Sequence, residues 1–169
     1  SQIFSLPKTR LRLLTVYGPW GRTDMALFLF TKAIIEGQPI KVFNNGEMIR
    51  DFTYIDDIVE GLIHLIDKPA TPKLDFNALT PESSSSWCPY KIFNIGNSQP
   101  TPLMNYIEEI ENSLKIKAKI NFLPMQMGDV SSTWADISLA ENLTGTKPSI
   151  SYKQGIKEFV EWFRNYYQK

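Results

Sequence analysis

Two arginines are the residues whose type and setting fit recognition of an anionic ligand. Arg22 lies in a loop rich in Pro, Trp and Gly, just past the carboxyl end of the apolar segment Thr9–Gly18. Arg50 lies on the return strand of a predicted hairpin, between Ile49 and Asp51. A guanidinium group carries a fixed fork of donors that matches a carboxylate or a phosphate. The residues alone therefore indicate an anion site, although either arginine by itself is more often an ordinary surface or ion-paired residue.

Other polar residues have simpler explanations. Asp129 lies in an irregular segment, where its carboxylate can accept hydrogen bonds from sugar hydroxyls or cap a turn. His64 is expected on the polar side of a helix, as a solvated surface residue. Cys88 has no basic neighbour in sequence, so a nucleophilic role is not expected. The adjacent Asp56 and Asp57 are interpreted as partners of a helix N-terminus.

A strand and a helix must position the first arginine. The near-continuous apolar character of Thr9–Gly18 predicts a strand buried on both faces of a parallel sheet. A helix is predicted to begin at Thr23 or Asp24 and to run through Glu36, with Gly37 as its stop. Arg22 would then lie at the sheet edge where ligands bind in open α/β folds.

A hairpin is predicted around the second arginine. Asn44–Gly46 separates the short strand Lys41–Phe43 from the return strand Ile49–Thr53. Asn-Gly pairs tolerate the positive φ of a tight turn, which makes them a strong hairpin signal. Arg50 would then lie on the return strand.

The remaining pattern continues the alternation of helices and strands, which predicts an α/β fold, or α+β if the strands do not share one sheet. The predicted elements are a helix from Asp56 or Asp57 to Lys68-Pro69, a long loop over residues 69–90, a strand Ile92–Gly96, a helix capped by Thr101-Pro102, a strand Lys119–Leu123, an irregular segment Met125–Ala135, a short helix from Asp136 to Gly145, and a last helix opened by the capping box Ser151–Gln154.

Composition excludes several classes of function. The 169 residues include 18 Lys and Arg against 18 Asp and Glu, so bulk charge gives no reason to expect a nucleic-acid partner. One cysteine cannot form an intrachain disulfide, and no Cys/His cluster is present to hold zinc. No apolar run approaches the roughly 20 residues that span a bilayer. A soluble cytoplasmic protein without membrane contact is expected.

Two sequence blocks carry a resemblance to a known family. Leu14–Ala26 (LTVYGPWGRTDMA) and Arg50–Gly61 (RDFTYIDDIVEG) resemble segments of the UDP-glucuronate 4-epimerases, which belong to the extended short-chain dehydrogenase/reductases. The second block alone identifies only the broader nucleotide-sugar epimerase/dehydratase family, and the first narrows it to the glucuronate branch. Shorter matches follow in order at Phe93–Asn97, Met127–Val130, Trp134–Asp136 and Gly155–Phe163.

The resemblance implies a fold and an activity. The fold is the C-terminal part of a Rossmann-type nucleotide-binding fold, interleaved through residues 1–169 with a small α/β domain for the UDP-sugar. The activity is inversion of C4 of UDP-glucuronate to UDP-galacturonate, an isomerase reaction of polysaccharide biosynthesis that proceeds by transient oxidation with bound NAD. A homodimer is also suggested by the resemblance.

Roles for individual residues follow from the same resemblance. Thr15 and Arg22 match positions that hold the sugar carboxylate, and Arg50 matches the position that binds the diphosphate. The other matches are Lys41, Val42 and Phe43 for uracil, Asp129 for ribose, Gln126 where galactose-type epimerases have Arg, and Leu14 and Val16 beside the nicotinamide. With Gln at position 126, Arg50 is expected to be the main cation for the diphosphate.

The sequence departs from the family in one large respect. It contains neither the Gly-rich dinucleotide fingerprint nor the catalytic Tyr-x-x-x-Lys of the family's N-terminal half. The chain is therefore expected to be the substrate-binding half, inactive alone and completed by that N-terminal half. Two alternatives stay open: another nucleotide-sugar epimerase, dehydratase or decarboxylase, and a non-catalytic UDP-sugar-binding fragment.

Overall fold

Strands and helices alternate along the chain, as the apolar patterns predict. The structure is a computed structural model and describes residues 2–168. Its strands are β1 (Lys8–Leu13), β2 (Val16–Tyr17), β3 (Pro39–Val42), β4 (Ile49–Asp51), β5 (Thr53–Tyr54), β6 (Tyr90–Ile95), β7 (Pro100–Pro102), β8 (Lys119–Phe122) and β9 (Ser132–Thr133). Its helices are α1 (Ala26–Ile35), α2 (Ile55–Ile66), α3 (Leu103–Leu114), α4 (Ser138–Thr144) and α5 (Tyr152–Tyr167). No helix within residues 2–168 combines the length and the apolar character that a membrane span requires.

The strands pair in four small ladders, and most of the pairings are parallel. β1 pairs with β6, β2 with β5 and β3 with β8, each in parallel. β4 lies between two partners, β7 in antiparallel and β9 in parallel orientation. Parallel neighbours need long crossover connections, which the intervening helices supply. This arrangement confirms the predicted α/β class.

The predicted buried strand Thr9–Gly18 is shorter and more exposed than expected. It breaks at Leu14-Thr15, where Thr15 has a φ of 34°. Among the described residues β1 has β6 as its one neighbour, and the Leu13 side chain remains 47% exposed. A parallel strand is buried on both faces where helices cover both faces of its sheet. In β1, alternate residues such as Leu11 are half-buried and the others face solvent.

The predicted hairpin at Asn44–Gly46 is wrong. The three residues adopt positive φ values of 50°, 50° and 85°, but they form a 3₁₀ turn after which the chain does not return along β3. β3 pairs with β8, and β4 pairs with β7 and β9. The Asn45 N–H donates to the carbonyl of Leu123 at 3.1 Å, which ties the turn to the end of β8. A local turn signal sets φ, whereas the partner of each strand depends on distant packing.

Two hydrophobic cores hold these elements. The larger core packs α1, α3 and α5 around β3, in which Ile40 and Val42 are buried. Within it the rings of Phe52 and Tyr106 stack, with centroids 3.7 Å apart and 13° between planes. A smaller core joins α2 to β6 through Ile58, Leu65, Phe93 and Ile95. Together the cores fix the strand ends that carry the predicted site residues.

The starts of α1 and α3 differ from the predicted caps. Met25 and Pro102 occupy the N-cap positions, and neither makes a side-chain capping bond. The predicted caps Thr23 and Asp24 lie before α1, and Asp24 instead binds a neighbouring arginine. The Thr101 hydroxyl donates to a backbone carbonyl of its own loop. Side chains that can cap a helix find other partners when such partners are closer.

The starts of the other helices lie close to the predictions. α2 begins at Ile55, one residue before Asp56. Before α4, the Asp136 carboxylate accepts a hydrogen bond from the Ser138 N–H at 3.0 Å. Ser151 caps α5 as predicted, because its hydroxyl accepts from the Gln154 N–H at 3.3 Å.

Two side chains to which no catalytic role was assigned, His64 and Cys88, are at least partly buried. His64 is half-buried, and its Nδ1 is shielded from solvent without a hydrogen-bond partner among the described residues. The expectation of a fully solvated histidine is therefore wrong. Cys88 is buried, with its Sγ 3.3 Å from the Ser86 hydroxyl. Burial of the thiol agrees with the absence of a nucleophilic role.

Candidate anion-binding site

Arg50 is the most firmly held cation of the predicted site. Its Nη2 lies 3.0 Å from Oδ1 of Asp129, and its Nη1 donates to the carbonyls of Ile49 at 2.9 Å and Ser131 at 3.2 Å. The Arg50 side chain is 17% exposed. Since a guanidinium has five N–H donors, the contacts within residues 2–168 leave Nε and one Nη2 hydrogen for a ligand. The structure thus brings together Arg50 and Asp129, to which the resemblance assigns separate roles in UDP binding.

A tight turn presents Asp129 to this arginine. The Asp129 N–H donates to the carbonyl of Gln126 at 3.2 Å, and the intervening Gly128 has a φ of 83°. A second bond runs from the Val130 N–H to Oδ1 of Asp129 at 2.8 Å. Glycine adopts this left-handed conformation without the penalty of a Cβ. Gln126 is exposed on the same turn. Its role near the diphosphate stays a prediction.

The strand predicted to hold uracil leads toward the same turn. In β3, Lys41 is exposed and Val42 is fully buried, and Phe43 after it is half-buried. The Leu123 N–H donates to the carbonyl of Val42 at 2.9 Å, which extends the ladder between β3 and β8. Gln126 lies three residues beyond Leu123. The pairing of β3 with β8 therefore brings the predicted uracil strand near the turn.

A cavity of about 450 Å³ opens between α1 and β3. Lys41 and Phe43 line it from the strand side, and Asp24 lines it from the loop before α1. Apolar residues of α1 form the remaining wall, among them Leu29 and Phe30. A largely apolar cavity with a few polar groups at its rim has the size and character of a small-molecule site.

Arg22 has a different setting from Arg50. Its Nη2 lies 2.6 Å from Oδ2 of Asp24 and its Nε 3.0 Å from Oδ1, a bidentate pair at the surface. The side chains are 76% and 64% exposed. The hydrogen bond between them raises the pKa of Arg22 and lowers the pKa of Asp24. Through Asp24, the Arg22 loop reaches the cavity beside β3.

Thr15 and Arg22 have different hydrogen-bond partners among the described residues. Thr15 is half-buried, and its carbonyl accepts a hydrogen bond from the Thr53 N–H at 3.2 Å. No hydrogen bond between Thr15 and Arg22 occurs within residues 2–168. Leu14 and Val16 are half-buried on either side of Thr15. A common site for these residues stays a prediction, although the positive φ of Thr15 marks a strained backbone of the kind found at functional sites.

The loop that carries Arg22 is attached to the core on its N-terminal side. Gly18 lies against the start of α2, where an added Cβ would come within 2.5 Å of the Ile55 side chain. Trp20 makes edge contacts with Trp162 and Tyr166 of α5, at centroid distances of 5.3 and 4.9 Å. These contacts fix the course of the backbone, while the Arg22 side chain itself extends into solvent.

The tyrosines near these strands are not suited to act as bases. Burial is the main cause that raises the pKa of Tyr17 and of Tyr54 well above the ordinary value. Tyr106 is fully buried, and burial raises its pKa as well. A general base needs a pKa near the working pH. These phenols therefore remain protonated and serve the core rather than proton abstraction.

Two carboxylates expected at the surface or at a helix N-terminus are buried, and of the two only Asp51 is connected to the site through Arg50. Asp51 is fully buried next to Arg50, and Asp57 is buried at the start of α2. Asp57 accepts hydrogen bonds from the N–H groups of Ser149 and Ile150 at 2.9 and 3.1 Å. Both belong to the block Arg50–Asp57, which carried the resemblance, but nothing in its composition indicates that the two carboxylates are buried.

The chain belongs to the NAD dependent epimerase/dehydratase family, whose sequence pattern matches residues 3–96. That family has the α/β fold seen here. In agreement, a UDP-glucuronic acid 4-epimerase from Bacillus cereus, solved in complex with UDP-glucuronic acid and NAD, superposes with a TM-score of 0.80 at 30% identity. The superposition covers 98% of this chain and 48% of that protein.

Sequence relatives agree with this assignment. The chain is 47% identical to protein CapI of Staphylococcus aureus over 169 residues, and 43% identical to a probable UDP-glucuronate 4-epimerase of Rhizobium meliloti (strain 1021) over 173. All of this chain is covered, against 51% and 50% of the two relatives. The resemblance drawn from the sequence is confirmed, and the chain spans about half the length of these relatives.

Proposed function

We propose that this chain is the substrate-binding half of a nucleotide-sugar epimerase that inverts C4 of UDP-glucuronate to give UDP-galacturonate. The observation that carries the proposal is the contact between the mostly buried Arg50 and Asp129. An arginine with free N–H donors suits the diphosphate, and an acid suits the ribose hydroxyls. Phe43, which follows β3, offers an aromatic ring to the uracil.

Each part of the UDP carrier has a matching group. Arg50 donates its remaining N–H groups to the diphosphate, because charge-assisted hydrogen bonds to phosphate oxygens are short and strong. Asp129 accepts from the ribose hydroxyls through its second oxygen. Phe43 and the backbone of Lys41 and Val42 contact the uracil from the cavity beside α1. With the exposed, neutral Gln126 on the turn, Arg50 supplies the main positive charge.

The sugar carboxylate is assigned to Arg22 and Thr15. A guanidinium and a hydroxyl are suitable donors for it. Restraint of this group has a chemical reason: in the oxidised sugar the C5 carboxylate is beta to the C4 ketone and is prone to leave as carbon dioxide. Arg22 would exchange Asp24 for the substrate carboxylate, since both offer the same bidentate partner.

NAD fits only in part on the residues present. Leu14 and Val16 are half-buried apolar side chains at the break between β1 and β2, which suits contact with a flat nicotinamide ring. The sequence has no Gly-rich turn to hold the pyrophosphate. We assign that turn, and the proton-transferring side chain, to the half of the enzyme that this chain does not span. Bound NAD supplies the acceptor and donor of the hydride. The implied homodimer stays a prediction.

A binding panel tests the proposal. The purified protein is titrated with UDP, UDP-glucuronate and UDP-glucose by calorimetry. Binding of UDP with tighter binding of UDP-glucuronate than of UDP-glucose supports the proposal. Equal binding of both sugars favours an enzyme for neutral sugars, and no heat at millimolar UDP contradicts a UDP site. Conversion of UDP-glucuronate after addition of the complementary half and NAD distinguishes an epimerase from a binding fragment.

A further inference from the structure

We infer that Asp51 is the residue that positions Arg50 for the diphosphate, a role that rests on the proposed function. Asp51 is fully buried, and its carboxylate accepts three backbone hydrogen bonds. Oδ2 accepts from the N–H groups of Ser98 at 3.0 Å and Ala135 at 3.1 Å. Oδ1 accepts from the Gln99 N–H at 3.4 Å.

These bonds tie together the two neighbours of the Arg50 strand. Ser98 and Gln99 lie in the loop that enters β7, and Ala135 lies two residues after β9. β4 pairs with β7 through Arg50 and Thr101, and with β9 through Arg50 and Thr133. The strands have only three, three and two residues. Ladders so short carry few backbone bonds, so the carboxylate supplies much of what holds them in register.

The position of β9 in turn sets the distance between Arg50 and Asp129. β9 begins three residues after Asp129, and the carbonyl of Ser131 accepts from both the Ile49 N–H at 2.9 Å and Arg50 Nη1 at 3.2 Å. A shift of β9 would therefore move two of the acceptors that orient the guanidinium. Asp51 reaches the ligand only through Arg50, which makes it a positioning residue rather than a ligand-contacting one.

The side chain of Asp51 is tightly packed against its neighbours. A Cβ added to Gly96 would lie 2.8 Å from the Cβ of Ala135 and 2.9 Å from Oδ2 of Asp51. Asp51 has no ion-pair partner within residues 2–168, so the cost of removing its charge from water is offset by backbone N–H groups alone. Such an arrangement tolerates neither a larger neighbour nor a change of acceptor.

The test compares two buried carboxylates in the protein. Asp51→Asn keeps the shape of the side chain but replaces one oxygen with an NH₂ group. Because both oxygens of Asp51 accept backbone N–H groups, the NH₂ group faces a backbone donor in either orientation of the amide. We expect a loss of UDP affinity of about tenfold or more, together with lowered stability. Asp57→Asn is the matched control, because Asp57 also accepts backbone hydrogen bonds, but from Ser149 and Ile150 rather than from the segments that flank β4. It should lower stability comparably and leave the UDP dissociation constant within about twofold.

Gly96→Ala provides a second variant if Asp51→Asn fails to fold. Its Cβ presses on the same carboxylate, so weaker UDP binding with an unchanged fold by circular dichroism is expected. Unchanged UDP affinity in the folded Asp51→Asn or Gly96→Ala protein overturns the inference, and so does an equal loss in Asp57→Asn. Failure of the unsubstituted protein to bind UDP contradicts the proposed function instead, so the two failures are distinguishable.

Discussion

The two arginines of the predicted site are held in opposite ways. Arg50 is 17% exposed and makes contacts with Asp129 and two backbone carbonyls from different segments. Arg22 is 76% exposed and pairs with Asp24, two residues along the same loop. The first guanidinium is fixed by tertiary structure, and the second by a local surface pair that adds little to stability.

This difference matches the two parts of the proposed ligand. The UDP carrier is the same before and after inversion of the sugar, so a rigid Arg50 can hold it throughout. The hexose must turn over within the site if hydride is to return to its other face. An arginine on an exposed loop can follow the carboxylate during that movement, whereas one fixed by three acceptors cannot. Under the proposed function, Arg50 would anchor the UDP carrier and Arg22 would be an adjustable contact for the sugar.

The largest effect is expected from Arg50→Ala. Removal of a charge-assisted donor to the diphosphate should cost about 1.5–3 kcal/mol, or roughly 10- to 100-fold in the dissociation constant for UDP. Calorimetry with UDP alone measures it. Arg10→Ala, which removes an exposed arginine from β1, is the control and should bind as before. If the two variants bind UDP equally well, Arg50 is not the anchor.

A smaller and more selective effect is expected from Arg22→Ala. Because Arg22 is assigned to the sugar carboxylate, UDP should bind unchanged while UDP-glucuronate binds roughly three- to tenfold more weakly. The readout is the ratio of the affinities for UDP-glucuronate and UDP-glucose, which should fall toward one. A ratio that stays constant would place the carboxylate elsewhere and would leave Arg22 as an ordinary surface residue.

The sequence predicted more of the fold than of its pairings. The predicted strand Lys41–Phe43 overlaps β3, which runs from Pro39 to Val42. The hairpin at Asn44–Gly46 failed because the same positive-φ residues serve a turn between strands that do not pair with each other. The true partner of β3 is β8, which begins at Lys119. No short-range signal carries such a distant choice.

In the site, too, contacts between distant residues could not be predicted from local sequence patterns. The Arg50–Asp129 contact joins residues 79 positions apart, and neither the spacing in the sequence nor the separate roles implied by the resemblance predicted it. Asp51 was missed because a carboxylate beside an arginine looks like a surface charge until the structure buries it. Asp24 was assigned to a helix cap, since nothing in the sequence shows that its nearer partner is Arg22. Tertiary burial and competition between partners decide both cases.

The smallest effect is expected from Asp24→Asn, and it bears directly on the comparison. The Asp24 carboxylate occupies Arg22 in the way proposed for the sugar carboxylate, so its neutralisation should strengthen binding of UDP-glucuronate by about twofold and leave UDP unaffected. Pairing lowers the pKa of Asp24, so the contact is present at neutral pH and is lost as the pH falls through that lowered value. Acidification into this range should therefore reduce the difference between Asp24→Asn and the unsubstituted protein. Weaker binding of UDP-glucuronate by Asp24→Asn at neutral pH would instead mean that Asp24 holds Arg22 in its working position, and the exposed arginine would then be as preorganised as Arg50.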